Sequence, residues 1–201
     1  MYISQHIFRL AALAACSLVF SGCVGLFVAA GSETAAVVAQ ERSVGNAVDD
    51  AGILLQIKNQ FAQQESKDLL INVEVKVVEG QVLLTGNVDK PESKVEAVRL
   101  TWLVGGVREV VDEIQINDKS GFWNYTRDVW ISTQIRTRLI TTKDVRSINF
   151  SIITVNQVVY VMGIAQNQHE LDTVNYIAST TSYVQRVVSY ARLKDDPRRK
   201  T

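Results

Sequence analysis

Trp130 stands three residues after Arg127 and eight before Arg138, and Phe122, Trp123 and Tyr125 lead into the same segment. An indole held beside guanidinium groups suits the edge of a bilayer, where the ring sits at headgroup depth and the cations meet phosphates. Other chemistry finds few residues to carry it. His6 and His169 are the two histidines. His169 lies among Gln168, Glu170 and Asp172 at a predicted helix start, where a solvated polar face suits it better than a general base. A His-Glu-x-x-His zinc motif is absent, as are Gly-x-Ser-x-Gly, a phosphate loop and paired cysteines. No catalytic residue, metal or cofactor is therefore expected, and Asp49-Asp50 reads as the cap of a first helix, favourable to its dipole.

The two cysteines, Cys16 and Cys23, lie near the N-terminus. An apolar run from Leu10 to Phe20 follows Arg9, the one full side-chain charge before it, and has the length of a signal-peptide core. It closes on Phe20-Ser21-Gly22-Cys23, which resembles the lipobox of bacterial lipoproteins, with Phe where Leu is usual. Cleavage there would make residues 1–22 a signal peptide and leave Cys23 to carry palmitate as a membrane anchor. The competing reading takes Leu10 to Ala30 as one uncleaved span, since about 20 apolar residues can cross a bilayer; the small-small-Cys step at the end of the run favours cleavage. Val24 stands where an Asp would act as an inner-membrane retention signal, so the outer membrane, facing the periplasm, is the expected destination. Removing residues 1–22 leaves 20 basic against 21 acidic side chains, a net charge of about −1. The remainder has no disulfide or thiolate metal site, and its bulk charge points to neither nucleic acid nor a general polyanion as partner.

These residues need elements to position them, and an internal repeat supplies the plan. Ile71-Asn72-Val73-Glu74-Val75 recurs as Ile148-Asn149-Phe150-Ser151-Ile152, Val82-Leu83-Leu84-Thr85-Gly86 as Val159-Tyr160-Val161-Met162-Gly163, and Val107-Arg108-Glu109-Val110-Val111 as Val184-Gln185-Arg186-Val187-Val188, all at a spacing of 77 residues. Two copies of one unit are therefore expected. Each starts with an amphipathic helix, with Ile53, Ile57 and Phe61 on one face in the first and Ile131, Ile135 and Leu139 in the second. Two alternating strands follow, over residues 70–78 and 81–88, then 147–155 and 158–165, joined by turns at Glu79-Gly80 and Asn156-Gln157. A second helix starts at Lys90-Pro91 and buries Val95, Val98 and Trp102, with Leu171, Val174 and Ala178 as its later counterparts. Third strands span residues 107–116 and 184–193. Gly86 and Gly163 mark close backbone approach within their strands.

The fold class is thus α+β, two tandem α-β-β-α-β units, each a three-stranded mixed sheet with two helices packed on it. Each unit supplies its own buried stripes and is expected to fold around its own core. The expected boundaries are a signal peptide at 1–22, a lipidated N-terminus and tether at 23–47, units at 48–118 and 124–194 around a linker at 119–123, and a disordered basic tail at 195–201.

Val-x-Leu-x-Gly-x-Val at Val82 to Val88, followed by Gly-Gly-Val-x-x-Val-x-x-x-Ile at Gly105 to Ile114, resembles the BON domain of bacterial envelope proteins. The second copy keeps Gly163 and the Val184-x-x-Val187 step, but has Ser182-Tyr183 in place of Gly105-Gly106. With the lipobox, the whole is similar to outer-membrane lipoproteins carrying two BON domains. What that resemblance implies is a non-catalytic protein of envelope integrity that binds anionic phospholipid through the first helix of its second BON domain.

The residues of that helix can be set beside the implication. At about 100° per residue, the stripe of Ile131, Ile135 and Leu139 leaves Trp130, Thr133, Thr137 and Thr141 outward, with Arg127 and Arg138 flanking on one side and Arg136 on the other. Trp130, Arg127, Thr133, Thr137, Arg138, Trp123 and Tyr125 are the expected phospholipid contacts. Alternatively, Trp123 and Trp130 pack in the seam between the units or on the Ser120-Gly121 linker. The matching function would be a periplasmic scaffold whose units dock other envelope proteins.

Overall fold

A computed structural model describes residues 44–63, 68–116 and 122–199. Cys23, the lipobox and residues 23–43 of the expected tether lie outside these residues, as do residues 119–121 of the expected linker; residues 44–47 and 122–123, expected as tether and linker, are instead the first turns of helices. The first unit runs α1 (Val44–Ala62), α2 (Asp68–Asn72), β1 (Val73–Val78), β2 (Gln81–Val88), α3 (Pro91–Trp102) and β3 (Glu109–Ile116). The second runs α4 (Phe122–Thr141), a 3-10 turn at Ser147–Asn149, β4 (Phe150–Val155), β5 (Val158–Ala165), α5 (Gln168–Ser179), β6 (Arg186–Ser189) and β7 (Arg192–Leu193). In both, the hairpin is antiparallel and the third strand returns parallel to the hairpin's second, so the middle strand carries one neighbour of each kind. That is the mixed α+β architecture the repeat implied, with α2 added: Leu70 to Asn72, expected as strand, form a helical turn ahead of β1.

The hairpin turns carry two consecutive positive-φ residues, Glu79 and Gly80 in one and Asn156 and Gln157 in the other. Such turns match the twist of the flanking strands. Each is held by an aspartate from the first helix of its unit: Asp50 accepts from the Glu79 and Gly80 amides at 2.8 and 2.9 Å, and Asp128 from those of Asn156 and Gln157 at 2.7 and 2.8 Å. Asp50 is therefore not a cap. The helix begins at Val44, and the carboxylate instead closes a contact 29 residues further on.

Gly86 and Gly163 sit at the start of the hairpin pairing, opposite Val73 and Phe150. A Cβ at either would stand 2.0 or 2.1 Å from the carbonyl oxygen of Asn72 or Asn149, in a left-handed backbone that side chains rarely adopt.

Each unit has its own core. Ile53, Ile57 and Phe61 of α1 meet Val75, Val82 and Leu84, while Ile131, Ile135 and Leu139 of α4 meet Ile152, Val159 and Val161. On α3 the buried face is Ala97, Leu100 and Thr101, followed by Val104 beyond its end, while Val95 and Trp102 are exposed. The small Ala97 lets that stripe approach the sheet, which turns the neighbouring one outward. The second unit buries Val174 and Ala178 as its pattern predicted, adds Ile177, and leaves Leu171 partly buried against the same core.

A third core joins the units. Val78 and Leu83 of the first sheet and Ile153, Val155, Tyr160, Met162 and Ile164 of the second form one buried cluster. The two sheets thus pack on each other through the faces opposite their helices, and β5 is buried on both sides. The separate cores expected from the repeat exist, but they share this seam.

Polar contacts ring the seam. Asn156 donates to Asn87 Oδ1 at 2.8 Å and Gln115 Oε1 at 2.7 Å, Tyr190 donates to Glu113, and Arg192 pairs with Glu109. The end of the chain joins them. Arg199, in a 3-10 turn at Pro197–Arg199, makes two 2.8 Å bonds to the carboxylate of Glu79, whose side chain is 5% exposed. Burial pushes the Glu79 carboxyl up, and the bonded Arg199 guanidinium outweighs it and holds the group below the usual glutamate value. The tail expected to be disordered is, through Arg199, a strap between the units; Arg198 pairs with Asp196, and Lys200 lies outside the described residues.

Candidate functional site

The outward face of α4 is built by what the opposite face buries. With Ile131, Ile135 and Leu139 fully in the core, positions 130, 133 and 137 emerge on the far side. Thr133 and Thr137 are exposed, and their hydroxyls donate to the Val129 and Thr133 carbonyls at 2.8 and 2.9 Å. Their protons are spent on the helix itself, so the surface they offer is methyl groups and oxygen lone pairs.

Trp130 is 42% exposed and lies outside the seam. Its ring meets Tyr183 edge to face, with centroids 5.5 Å apart and planes at 74°. The Arg127 guanidinium lies 5.7 Å from the centre of the same tyrosine ring, within cation–π range. The result is an exposed ridge of indole, phenol and guanidinium, all from the second unit.

Tyr183 was not among the sequence candidates. It occupies the position of Gly106 and keeps the glycine-like backbone, φ +69° against +90°. A left-handed non-glycine residue costs about 1–2 kcal/mol, and such strain persists where surrounding contacts hold it. The signal in sequence was the exchange of Gly105-Gly106 for Ser182-Tyr183, visible as a departure from the repeat.

Arg138 holds Tyr183 in place from a distance. Its guanidinium donates to the Ile177 carbonyl at 2.9 Å, Thr181 Oγ1 at 2.8 Å and Thr180 Oγ1 at 3.0 Å. It thereby satisfies the C-terminal end of α5 and fixes the loop that carries the tyrosine.

Arg136 and Tyr125 fall elsewhere. Arg136 donates to the Ile152 carbonyl at 2.6 Å, and with Tyr125 and Val129 it lines a cleft of about 650 Å³ between the units, whose far wall includes Lys58 and Ile71. Five positions separate Tyr125 from Trp130, roughly 140° around the helix, so the two do not share a face. Burial lowers the Lys58 ammonium from its ordinary value, against the pull of Glu74. The side chain of Trp123 lies outside the described residues.

Among the described residues, no cluster of His, Cys, Asp and Glu could hold a metal ion, and no helix is long and apolar enough to cross a membrane.

The BON domain pattern matches residues 49–118 and 127–195. Several relatives share most of the chain, these three among them. One is the "Uncharacterized protein in gshII 5'region" of Anaplasma centrale, 41% identical over 73% of this chain and 96% of its own length. Another is the "Outer membrane lipoprotein DolP" of Haemophilus influenzae, 28% identical over 93% of this chain and 96% of its own. The third is the "21 kDa hemolysin" of Actinobacillus pleuropneumoniae, 27% identical over 72% of this chain and 79% of its own. No enzyme family is indicated among these matches.

Proposed function

From the premise that the chain belongs to the BON-domain family, with both copies matched, we propose that it is a non-catalytic outer-membrane lipoprotein that binds anionic phospholipid through α4. The likeness to an outer membrane lipoprotein along nearly the whole chain supports the envelope role. The lipid anchor belongs on Cys23, with residues 1–22 removed and the protein facing the periplasm. The domain limits read from the sequence, 48–118 and 124–194, belong to the same proposal.

The observation that carries the lipid site is the Trp130–Tyr183–Arg127 ridge: a half-exposed indole beside a cation, braced by a tyrosine held in a strained backbone. An aromatic of this kind partitions to headgroup depth, and Arg127 adds about 1 kcal/mol of attraction to an anionic surface. Thr133 and Thr137 supply uncharged surface that enters the interface at little desolvation cost. Arg138 contributes by fixing the Tyr183 loop as well as by its charge. Trp123, at the start of α4, belongs to the same proposal; Tyr125, which lines the cleft between the units, does not.

The test is co-sedimentation with vesicles containing phosphatidylglycerol, comparing the native chain with Trp130→Glu and Arg127→Gln. Trp130→Glu should abolish binding, while thermal stability changes by no more than the lost aromatic pair, about 0.5–1.5 kcal/mol. The Arg127→Gln loss should shrink as salt rises. Binding that survives Trp130→Glu, with a large fall in melting temperature, would remove the lipid site.

A second reading, docking of envelope proteins, has one observation in its favour. Val95 and Trp102, one stripe of α3, are exposed on the first unit, Trp102 by 51%, and Leu103 is exposed beside them. Trp102→Ala would then weaken capture of an envelope partner and leave vesicle binding as it was.

A further inference from the structure

The repeat places a hollow on the first unit where the second carries its aromatic ridge. On the first helices the offset is 78 residues, matching Asp50 to Asp128 and Ile53 to Ile131, so Gly52 stands at the helix position of Trp130; at the 77-residue offset of the strands, Gly105 and Gly106 stand where the second unit has Ser182 and Tyr183. The hollow they line is about 340 Å³, with Ile53 in its lining and Asp49 and Arg108 exposed beside it, while the carboxylates of Asp50 and Glu79 are engaged within the fold. A Cβ built on Gly52 or Gly105 meets nothing within 4 Å, so the space is open. At the corresponding place on the second unit, Trp130 and Tyr183 fill each other's surface and Arg127 stands beside them.

We propose that the Trp130–Tyr183–Arg127 ridge of one copy seats in the Gly52–Gly106 hollow of a second copy. The two surfaces are complementary in shape and in charge. The hollow lacks the aromatic groups that the related fold carries at the same place, the ridge presents them, and the Arg127 cation meets the carboxylate of Asp49. The contact joins different surfaces of the two copies, so it is heterologous, and it builds chains or rings rather than a closed symmetric pair. Its small size makes it weak in dilute solution. Confinement to a membrane surface raises the effective concentration at which it acts. Because the ridge is also the proposed lipid face, one copy's ridge cannot serve both, so anionic lipid would take apart what neutral lipid permits. The self-association itself does not depend on the lipid reading.

The experiment measures energy transfer between donor- and acceptor-labelled copies of the full chain in neutral phosphatidylcholine vesicles. Native chains should show transfer beyond that of non-interacting copies. Gly52→Trp, which fills the hollow, and Trp130→Ala, which removes the ridge, should each weaken association at least about tenfold, as loss of a central aromatic does in small interfaces. Mixing the two variants should restore transfer between unlike copies, because one still offers a ridge and the other a hollow. Asp49→Arg should also lower transfer, without altering any core residue. Gly52→Trp should leave binding to anionic vesicles unchanged, which separates this contact from the lipid site. Native chains that show no transfer would overturn the proposal, as would a Gly52→Trp chain that associates normally. A mixture that stays silent would overturn it as well, because a ridge on one copy and a hollow on the other would then not suffice.

Discussion

Replacing Arg199 by Gln removes both 2.8 Å bonds to Glu79 and leaves the glutamate carboxylate, 5% exposed, with Asn46 at 3.5 Å and the more distant charge of Arg108. Breaking a buried pair from one side costs about 3–5 kcal/mol, because the remaining charge is left desolvated. The Arg199 side chain is itself 16% exposed, so water can partly enter once it is gone, and the low end, about 3 kcal/mol, is expected. At roughly 2–4 °C per kcal/mol for a chain of this size, the melting temperature should fall by about 6–12 °C. Glu79→Gln in the same chain should recover part of the loss, since no carboxylate then remains orphaned, and the double-mutant cycle should show coupling between the two residues. The pH dependence has a definite sign. Glu79 titrates below its ordinary value in the folded protein, so the strap contributes fully above pH of about 4.5, and its contribution fades as pH falls through the depressed folded value. Thermal melts at pH 7 and below pH 4 read both effects. A shift under about 0.5 kcal/mol for Arg199→Gln, or strict additivity in the cycle, would refute the view that the chain end clamps the units.

Gly163→Ala places a Cβ 2.1 Å from the Asn149 carbonyl in a left-handed backbone, so it should destabilise by more than about 3 kcal/mol in urea unfolding. Asp128→Asn removes a charged acceptor from two turn amides and should cost about 1.5–3 kcal/mol by the same measurement, with Asp50→Asn matching it in the first unit. Cys23→Ser should abolish metabolic labelling with a palmitate analogue; equal labelling of the variant would end the lipoprotein reading.

The sequence disclosed whatever is local or repeated. The turns at Glu79-Gly80 and Asn156-Gln157 and the paired glycines recur 77 residues apart, the helix stripes of α1 and α4 recur 78 apart, and each carries a local signature in its residue types. Contacts between distant residues were harder to read. Asp50 looks like a cap until its partner appears 29 residues later, and Arg199 looks like tail charge until Glu79 is found 120 residues before it. The seam did leave a trace. Residues 158–165 are almost continuously apolar, the pattern of a strand covered on both faces, and reading them as alternating hid the shared core. On α3 the small Ala97 carries little apolar signal in sequence, whereas the larger Val95 and Trp102 make the stronger stripe and yet face outward. At the candidate site, Arg127 and Trp130 were visible as types in a pattern. Tyr183 was not, because its role depends on a loop that Arg138 anchors from 42 or 43 positions away.

Asn46, near the start of the described chain, and Arg199, near its end, both bond the carboxylate of Glu79. The two ends of the described fold therefore converge on one turn of the first unit, and the chain passes from one unit to the other between Ile116 and Phe122. Chain ends that meet in this way tolerate being joined and reopened elsewhere. The order of the units along the polypeptide is then a matter of translation rather than architecture: a circularly permuted chain, with Arg199 joined to the segment before Asn46 and the chain opened between the units, would place the second copy first and still present the same seam.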